Sequence, residues 1–268
     1  MPVIVELRLH PTAAAPPGRP RAPEPTTRQL HGLACALFEG ARSTDEAHAA
    51  HDKPFAIWPL RPATPGGWLL RGAWLPAGFP QNVLAATGEA RLGPIACTVT
   101  DLAFRTATHE ELAGTEQADG ARITLLSPAY FSQNGAYVTE PDPRLIVGSW
   151  RRRWNASLPG EDDGLLIDDD LWRDIHLALH VTGAGITLEP RDTGYRQQAG
   201  MTGTLTLRLE TGAPPLVRQA FAALSRFAEY CGTGAQVTHG FGATRTTLLR
   251  SSWSAAPTTP LAGENLPE

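Results

Sequence analysis

The stretch MTGTLTLRLETGAPPLVRQAFAALSRFAEY, from Met201 to Tyr230, sets the fold class of the second half of the chain. Its first part, Met201 to Leu209, is a strand candidate, and its second part, Pro215 to Tyr230, has apolar residues at the spacing of a helix with one buried side. A further strand candidate, Ala243 to Leu249, follows the helix. The end of the chain is therefore predicted to run strand, helix, strand.

The residues before this stretch extend the pattern towards the amino terminus. Ile123 to Phe131 is predicted as a strand, and Pro143 to Trp154 has helical periodicity. An acidic loop and a strand candidate from Ile175 to Leu188 come next, and a connection rich in Gly and Arg leads into the stretch quoted above. The predicted order of the second half is βαββαβ.

The first half repeats that order. Val3, Val5, Leu7 and Leu9 alternate with other residues, as in a strand with one buried face. The other predicted elements are a helix capped by Thr26 or Thr27, strands at Pro54–Leu60 and Trp68–Leu75, a weak helix at Gln81–Ala90 and a strand at Ile95–Phe104.

Two consecutive βαββαβ units predict an α+β protein made of tandem ferredoxin-like (RRM-like) domains with antiparallel sheets. We expect an N-terminal domain at residues 1–115, a C-terminal domain at 120–253 and a flexible tail at 254–268. Such sheets often bind RNA, but a fold alone does not assign a function.

Bulk composition is typical of a globular protein, with 42% hydrophobic and 19% charged residues. No stretch approaches the ~20 apolar residues of a membrane helix, and the amino terminus lacks signal-peptide features. We therefore expect a cytoplasmic protein without membrane contact. Cys35, Cys97 and Cys231 show no CxxC spacing, so neither a zinc site nor a disulfide framework is predicted.

The net charge of −4 argues mildly against nucleic acid as a partner. Seven of the 27 acidic residues, however, lie between Glu161 and Asp174, and the remainder of the chain has a small net positive charge. Lys53 is the only lysine, so nearly all the positive charge is carried by arginine, which binds phosphate through two hydrogen bonds and stacks on bases. The charge distribution is therefore compatible with RNA binding.

A glycine-rich segment, FAEYCGTGAQVTHGFGATR, spans Phe227 to Arg245. It lacks the P-loop pattern and follows a helix instead of a strand, so nucleotide binding of the P-loop or dinucleotide type is excluded. Glycines also form ordinary helix ends and turns. Alternatively, they allow an RNA strand to approach the backbone closely, with N–H groups facing phosphate. The predicted RNA-binding residues of this segment are Gly232, Gly234, His239, Gly240, Phe241, Gly242 and Arg245.

Four segments in order resemble the CRISPR-associated repeat-processing endoribonucleases, the Cas6 family of the RAMP superfamily. They are LLSPAYFSQNG (Leu125–Gly135), PDPRLIVGSWRRRWN (Pro141–Asn155), AGMTGTLTLRL (Ala199–Leu209) and the glycine-rich segment with its G-x-G and G-F-G. The resemblance implies an endoribonuclease that cleaves CRISPR precursor RNA within its repeats and retains the mature guide RNA. It also implies other Cas subunits as partners.

In that family, the ribose 2′-hydroxyl attacks the adjacent phosphate and leaves a 2′,3′-cyclic phosphate and a 5′-hydroxyl. The resemblance therefore implies no metal and no cofactor. The reaction needs a base, an acid and a cation near the phosphate.

The segment EAHAAHDKPFAIWPL resembles the family's catalytic segment, in which a histidine precedes Lys-Pro-Phe. On this match His48 is the catalytic histidine and Lys53 the cation, although the spacing leaves His51 as an alternative. His31 on the first helix is a further catalytic candidate, or else a histidine of the helix core or surface. Two exposed histidines on a polar loop are the alternative interpretation of His48 and His51.

Arg151, Arg152 and Arg153 are predicted to bind the phosphates of an RNA stem, or else to form a solvated helix end. Two other functions remain open. One is a non-cutting RAMP subunit that binds RNA inside an effector complex, and the other is a tandem ferredoxin-like module that binds no RNA.

Overall fold

The computed structural model describes residues 1–12, 25–39, 53–63, 66–85, 88–160, 164–193 and 196–250. Within these ranges the chain is an α+β protein with two main antiparallel sheets, and the predicted fold class of tandem ferredoxin-like units is confirmed. No helix in the described ranges is long and apolar enough to cross a membrane.

The first half forms a sheet with the strand order β2-β4-β1-β6-β5, and β3 pairs with β4 outside this path. Its strands are β1 (Val3–Pro11), β2 (Phe55–Ile57), β3 (Arg61–Pro62), β4 (Trp68–Trp74), β5 (Glu89–Leu92) and β6 (Ile95–Thr106). Its helices are α1 (Thr27–Phe38), α2 (Gln81–Ala85) and α3 (His109–Ala113). Thr26 starts α1 with a capping box, as its side chain and that of Gln29 satisfy each other's backbone N–H groups.

The second half forms a four-stranded sheet in the order β10-β11-β7-β12 and a separate hairpin of β8 and β9. The strands are β7 (Gly120–Ala129), β8 (Phe131–Gln133), β9 (Ala136–Val138), β10 (Leu179–Asp192), β11 (Gln197–Leu209) and β12 (Thr244–Leu249). The helices are α4 (Pro143–Ser157), α5 (Asp169–Ala178) and α6 (Pro215–Cys231), followed by a 3₁₀ turn at Val237–His239.

Both faces of the first sheet are buried near its centre. Leu7 and Leu9 on one face of β1 pack with α1 residues such as Leu33. On the other face, Ile4 and Ala73 belong to the same hydrophobic cluster as α6. Because α6 contacts β7 and β12 as well as β2 and β4, it lies between the two sheets and joins the halves through a continuous apolar core.

Two local expectations were wrong. The weak helix at Gln81–Ala90 ends at Ala85, and after Gly88, whose φ is +128°, the chain forms the edge strand β5. The predicted strand from Ile175 begins instead as part of α5. Asp168 caps this helix by accepting a hydrogen bond from Leu171 N at 2.8 Å, and the acidic residues of the first turn suit the positive end of the helix dipole.

The predicted boundary between the domains falls between α3 and β7, and the division into units at 1–115 and 120–253 stays a prediction. The predicted flexible tail at 254–268 lies outside the described residues.

Candidate active site and nucleic-acid interface

Helix α1 places three functional side chains in one row because residues four apart share a helix face. His31, Cys35 and Glu39 lie along this row, from the middle of the helix to its end. The Nε2 atom of His31 lies 3.5 Å from the Cys35 sulfur. Burial, followed by the charge of Glu39, raises the pKa of Cys35 to about 12, so the thiol keeps its proton at neutral pH.

The surroundings of His31 fix which of its ring nitrogens carries hydrogen. Nδ1 lies 2.9 Å from the carbonyl oxygen of Thr238, which only accepts hydrogen bonds, so Nδ1 donates. In the neutral ring Nε2 then carries no hydrogen and accepts from the Cys35 thiol. His31 is therefore held by groups from both halves of the chain.

The ring of His239 stacks on that of His31. The ring centroids are 3.8 Å apart and the planes differ by 9°. Burial, with a smaller contribution from His31, lowers the pKa of His239 to about 4. At neutral pH His239 is thus an uncharged imidazole that can accept a proton or a hydrogen bond. The structure brings together two predicted site residues that sequence analysis had assigned to different roles.

Lys53, the predicted cation, is occupied inside the protein. Its Nζ lies 2.7 Å from Oε1 of Glu39, and the two side chains are only 6% and 7% exposed. This buried ion pair joins the end of α1 to the residue two positions before β2. The expectation that Lys53 faces the scissile phosphate is not supported by this geometry. His48 and His51 lie outside the described residues.

The glycine-rich segment is shaped by packing. Gly232, Gly234, Gly240 and Gly242 all have φ between +63° and +83°. A Cβ on Gly242 would overlap the carbonyl oxygen of Thr233, and a Cβ on Gly234 would overlap that of Tyr130. These two glycines are therefore required for close backbone packing whether or not RNA binds.

The N–H groups of this segment are used internally. Thr233 N donates to Gly242 O at 2.8 Å, Gly242 N to Pro128 O at 2.9 Å, and Ala235 N to Tyr130 O at 2.7 Å. Gly234 N donates to the Ser149 hydroxyl. The expected row of N–H groups facing phosphate is therefore wrong for these positions, because the turn pairs them with carbonyls and hydroxyls.

The other predicted RNA-binding residues of the segment divide by exposure. Phe241 is fully buried and packs edge-on against Tyr130, with ring centroids 5.4 Å apart, so it is a core residue. His239 is half-buried and Arg245 is exposed on β12. The sequence of a short loop does not show whether an apolar residue packs in the core or contacts a ligand, because the local sequence pattern is the same in both cases.

The three consecutive arginines of α4 have different environments. Arg151 donates to Ile167 O at 2.9 Å and pairs with Asp169 at 2.7 Å, which ties α4 to the start of α5. Arg153 donates to Gly234 O at 2.5 Å. Arg152 is exposed. A phosphate contact by all three side chains is not compatible with these positions, and Arg152 is the one that faces solvent.

One basic residue was missed by sequence analysis. Arg191, near the end of β10, places its guanidinium 5.5 Å from the ring centroid of Phe241. A Cβ on Gly240 would lie 3.1 Å from Nη2 of Arg191, so this cation lies beside the residue that follows His239. Its sequence context shows only one arginine among several in a polar connection, and only the fold brings it to the histidine pair. Within the described ranges, no group of three or more His, Cys, Asp or Glu residues is arranged to hold a metal ion.

Comparison with known proteins gives consistent results. The family model for the CRISPR-associated endoribonuclease Cas6 matches residues 123–244. The CRISPR-associated endoribonucleases Cas6 of two Mycobacterium tuberculosis strains, CDC 1551 and H37Rv, are each 28% identical to this chain over 136 residues. That match covers 51% of this chain and 41% of the length of each relative.

Solved structures extend the similarity to most of the chain. A Cas6 product complex has a TM-score of 0.76 at 27% identity and covers 92% of this chain and 100% of its own. Thermus thermophilus Cas6 has a TM-score of 0.67 at 27% identity, covering 92% and 98%. A second Cas6 product complex, at 22% identity, shares the fold with a TM-score of 0.74. The family match over residues 123–244, the curated relatives and these structures all show that this chain is similar to Cas6 proteins.

Proposed function

We propose that this protein is an endoribonuclease that cleaves CRISPR precursor RNA within its repeats and holds the mature guide RNA. The observation that carries the proposal is the similarity to a Cas6 product complex, which has 27% identity and a TM-score of 0.76 over the full length of that chain. The match to the Cas6 family model supports the same activity. CRISPR repeat RNA is the proposed substrate, and other Cas subunits are proposed partners.

The proposed reaction is metal-independent. A base removes the proton of a ribose 2′-hydroxyl, the oxygen attacks the adjacent phosphorus, and the bond to the 5′-oxygen breaks as an acid supplies a proton. The products are a 2′,3′-cyclic phosphate and a 5′-hydroxyl. Imidazole suits the base because its usual pKa lies near neutrality.

His48 is the proposed catalytic histidine, on the strength of its position ahead of Lys53-Pro54-Phe55. His51 is the alternative. The stacked pair of His31 and His239 is a second source of imidazole, at the junction of α1 and the glycine-rich segment. Because the low pKa of His239 keeps this ring neutral, it is suited to accept a hydrogen bond from RNA and unsuited to act as an acid at neutral pH.

Lys53 has a changed role in this proposal. Its ammonium group is neutralised by Glu39 in a buried pair, so we assign it to anchoring the chain after the histidine-containing segment. The positive charge near the phosphate is then left to arginine.

Purified protein incubated with the repeat RNAs of CRISPR arrays in its own genome, in EDTA, tests the proposal. We expect wild type to cut once per repeat, and His48→Ala to bind with nearly unchanged affinity but to cut with a rate lowered ~10²-fold or more. His51→Ala is the matched control and should cut at close to the wild-type rate. If His51→Ala cuts slowly and His48→Ala cuts at close to the wild-type rate, His51 is the catalytic histidine. If wild type binds the repeat RNA tightly but does not cut it, the protein is better explained as a non-catalytic RAMP subunit.

A further inference from the structure

A groove of about 430 Å³ lies where the two halves of the chain meet, next to the histidine pair. Its walls come from the start of α1, from the segment around β3, from β4 and from the end of β10. The lining residues include Leu30, Pro59, Leu60, Trp68, Pro190 and Arg191. The volume falls in the range of small-ligand sites, and the lining combines apolar side chains with the hydroxyls of Thr26 and Thr27 and the charged residues Arg191 and Asp192.

The end of β10 is fixed against α1, so the groove has a defined shape. The hydroxyl of Thr27 donates to the carbonyl oxygen of Asp192 at 2.8 Å across the junction. Asp192 also lines the groove, and burial alone accounts for the lowered pKa of Arg191, without a contribution from the Asp192 charge.

Arg191 carries a charge that the protein only partly compensates. Its Nε is buried and has no hydrogen-bond acceptor among the residues that the structure describes. The guanidinium stacks over Phe241, which offers a weak cation–π attraction at 5.5 Å. Burial lowers the pKa of Arg191. A half-buried guanidinium with spare donors is stabilised by an anion that accepts two hydrogen bonds, and phosphate has the matching geometry.

The groove is adjacent to the stacked pair of His31 and His239. Gly240, which follows His239, lies against Arg191 and Leu30, since a Cβ there would be 3.1 Å from Nη2 and 3.3 Å from Cδ2 of these residues. A ligand on Arg191 would therefore lie beside the residue that follows His239.

We propose that this groove binds one unpaired nucleotide of the RNA, with its phosphate on Arg191 and its base against the apolar walls that include Trp68. The inference rests on the proposed function for the identity of the RNA, and it adds a phosphate-binding residue and a single-nucleotide subsite beside the histidine pair. Base contact with an aromatic wall is tolerant of sequence, so the subsite selects for a single strand and not for one base.

The test compares Arg191→Gln with wild type, with Arg173→Gln as the matched control. Arg173 is an exposed arginine on α5, paired with Asp170 outside the groove. Two probes are used at several salt concentrations, the repeat RNA and a single-stranded octauridylate. We expect Arg191→Gln to bind both roughly tenfold more weakly and to lower the salt slope by ~0.7, the value for one phosphate contact on a single strand. Arg173→Gln should match wild type.

Thermal unfolding separates binding from a structural role. If Arg191 only stabilises the fold, Arg191→Gln should lower the melting temperature. If Arg191 binds a ligand and its charge is only partly compensated in the free protein, the melting temperature of the free variant should stay the same or rise. In a second experiment, each phosphate of the repeat RNA is replaced in turn by a neutral methylphosphonate. Replacement of the phosphate that contacts Arg191 should weaken binding to wild type but should not weaken binding to Arg191→Gln further.

The outcomes distinguish the two proposals. If wild type binds and cuts the repeat while Arg191→Gln keeps wild-type affinity and salt slope for both probes, the subsite is refuted and the proposed function stands. If wild type neither binds nor cuts the repeat RNA but binds octauridylate in an Arg191-dependent way, the subsite is supported and the proposed function is refuted. Binding of neither RNA overturns both.

Discussion

The imidazole rings of His31 and His239 lie parallel at a centroid distance of 3.8 Å, although 208 positions separate them in the sequence. One ring belongs to the first helix and the other to the 3₁₀ turn of the glycine-rich segment. Protonating both rings would place two positive charges in van der Waals contact, so the pair favours the neutral form at the junction between the halves.

The first prediction concerns the pH dependence of stability. The pKa of His239 is about 4 in the folded protein and about 6.5 when unfolded, so the unfolded chain binds more protons between these values. The contribution of His239 to the free energy of unfolding is therefore complete above about pH 6.5 and is lost as the pH falls to about 4. It amounts to a change on the order of 3 kcal/mol.

Denaturant unfolding of wild type and His239→Gln at several pH values measures this change. The difference in the free energy of unfolding between wild type and His239→Gln should shrink as the pH falls from about 6.5 to about 4, because only wild type loses the contribution of His239. Parallel curves for the two proteins would show that His239 titrates normally.

The second prediction concerns the buried pair of Lys53 and Glu39. Lys53→Met should lower the free energy of unfolding by about 3–5 kcal/mol, because it leaves the Glu39 carboxylate buried without its cation. Lys53→Met combined with Glu39→Leu should recover much of this loss, since neither charge remains. A double-mutant cycle by chemical denaturation measures the coupling, and additive effects of the two substitutions would contradict a buried pair.

The third prediction separates steric overlap from backbone strain in the glycines. Gly242→Ala should prevent folding or lower the melting temperature strongly, since its φ is +63° and a Cβ would overlap Thr233 O. Gly212→Ala is the matched control because its φ is +87° but nothing lies within 4 Å of a Cβ. It should lose only about 1–2 kcal/mol. Equal melting temperatures for the two variants would refute the packing role of Gly242.

The fourth prediction divides the arginines of α4. Arg153→Gln should lower stability by about 1.5–3 kcal/mol, because Arg153 donates to Gly234 O in the glycine-rich segment. Arg152→Gln should lower the melting temperature less than Arg153→Gln does and should weaken RNA binding, with a salt slope lower by ~0.9 for a duplex phosphate contact. Thermal melts and binding titrations of both variants check this. The opposite pattern, with Arg152 needed for stability, would contradict the assignment.

Local patterns were sufficient for much of the fold. The alternation in β1 and the helical spacing in α6 each report a buried face, and the structure has these elements near the predicted bounds. The start of α5 was missed because its acidic residues suggested a solvated loop, whereas Asp168 caps a helix. A cap decides the structure of a short polar segment when apolar periodicity is weak.

The site was less accessible to sequence analysis because its chemistry is set by tertiary contacts. The row of His31 and Cys35 follows from helix geometry, but the stack with His239 and the position of Arg191 depend on how the halves pack. The burial of Phe241 and Lys53 likewise comes from neighbours distant in sequence. Charge and aromaticity alone did not distinguish side chains that serve the fold from those that face a ligand.

The most direct test of the proposed activity is cleavage of repeat RNA in EDTA with a single 2′-deoxy substitution at the nucleotide before the cut. If the 2′-hydroxyl is the nucleophile, the substituted RNA stays intact while binding as tightly as the all-ribose RNA. The all-ribose RNA yields fragments ending in 2′,3′-cyclic phosphate and beginning with 5′-hydroxyl. Cleavage of the deoxy-substituted RNA at the same position and rate would contradict the mechanism.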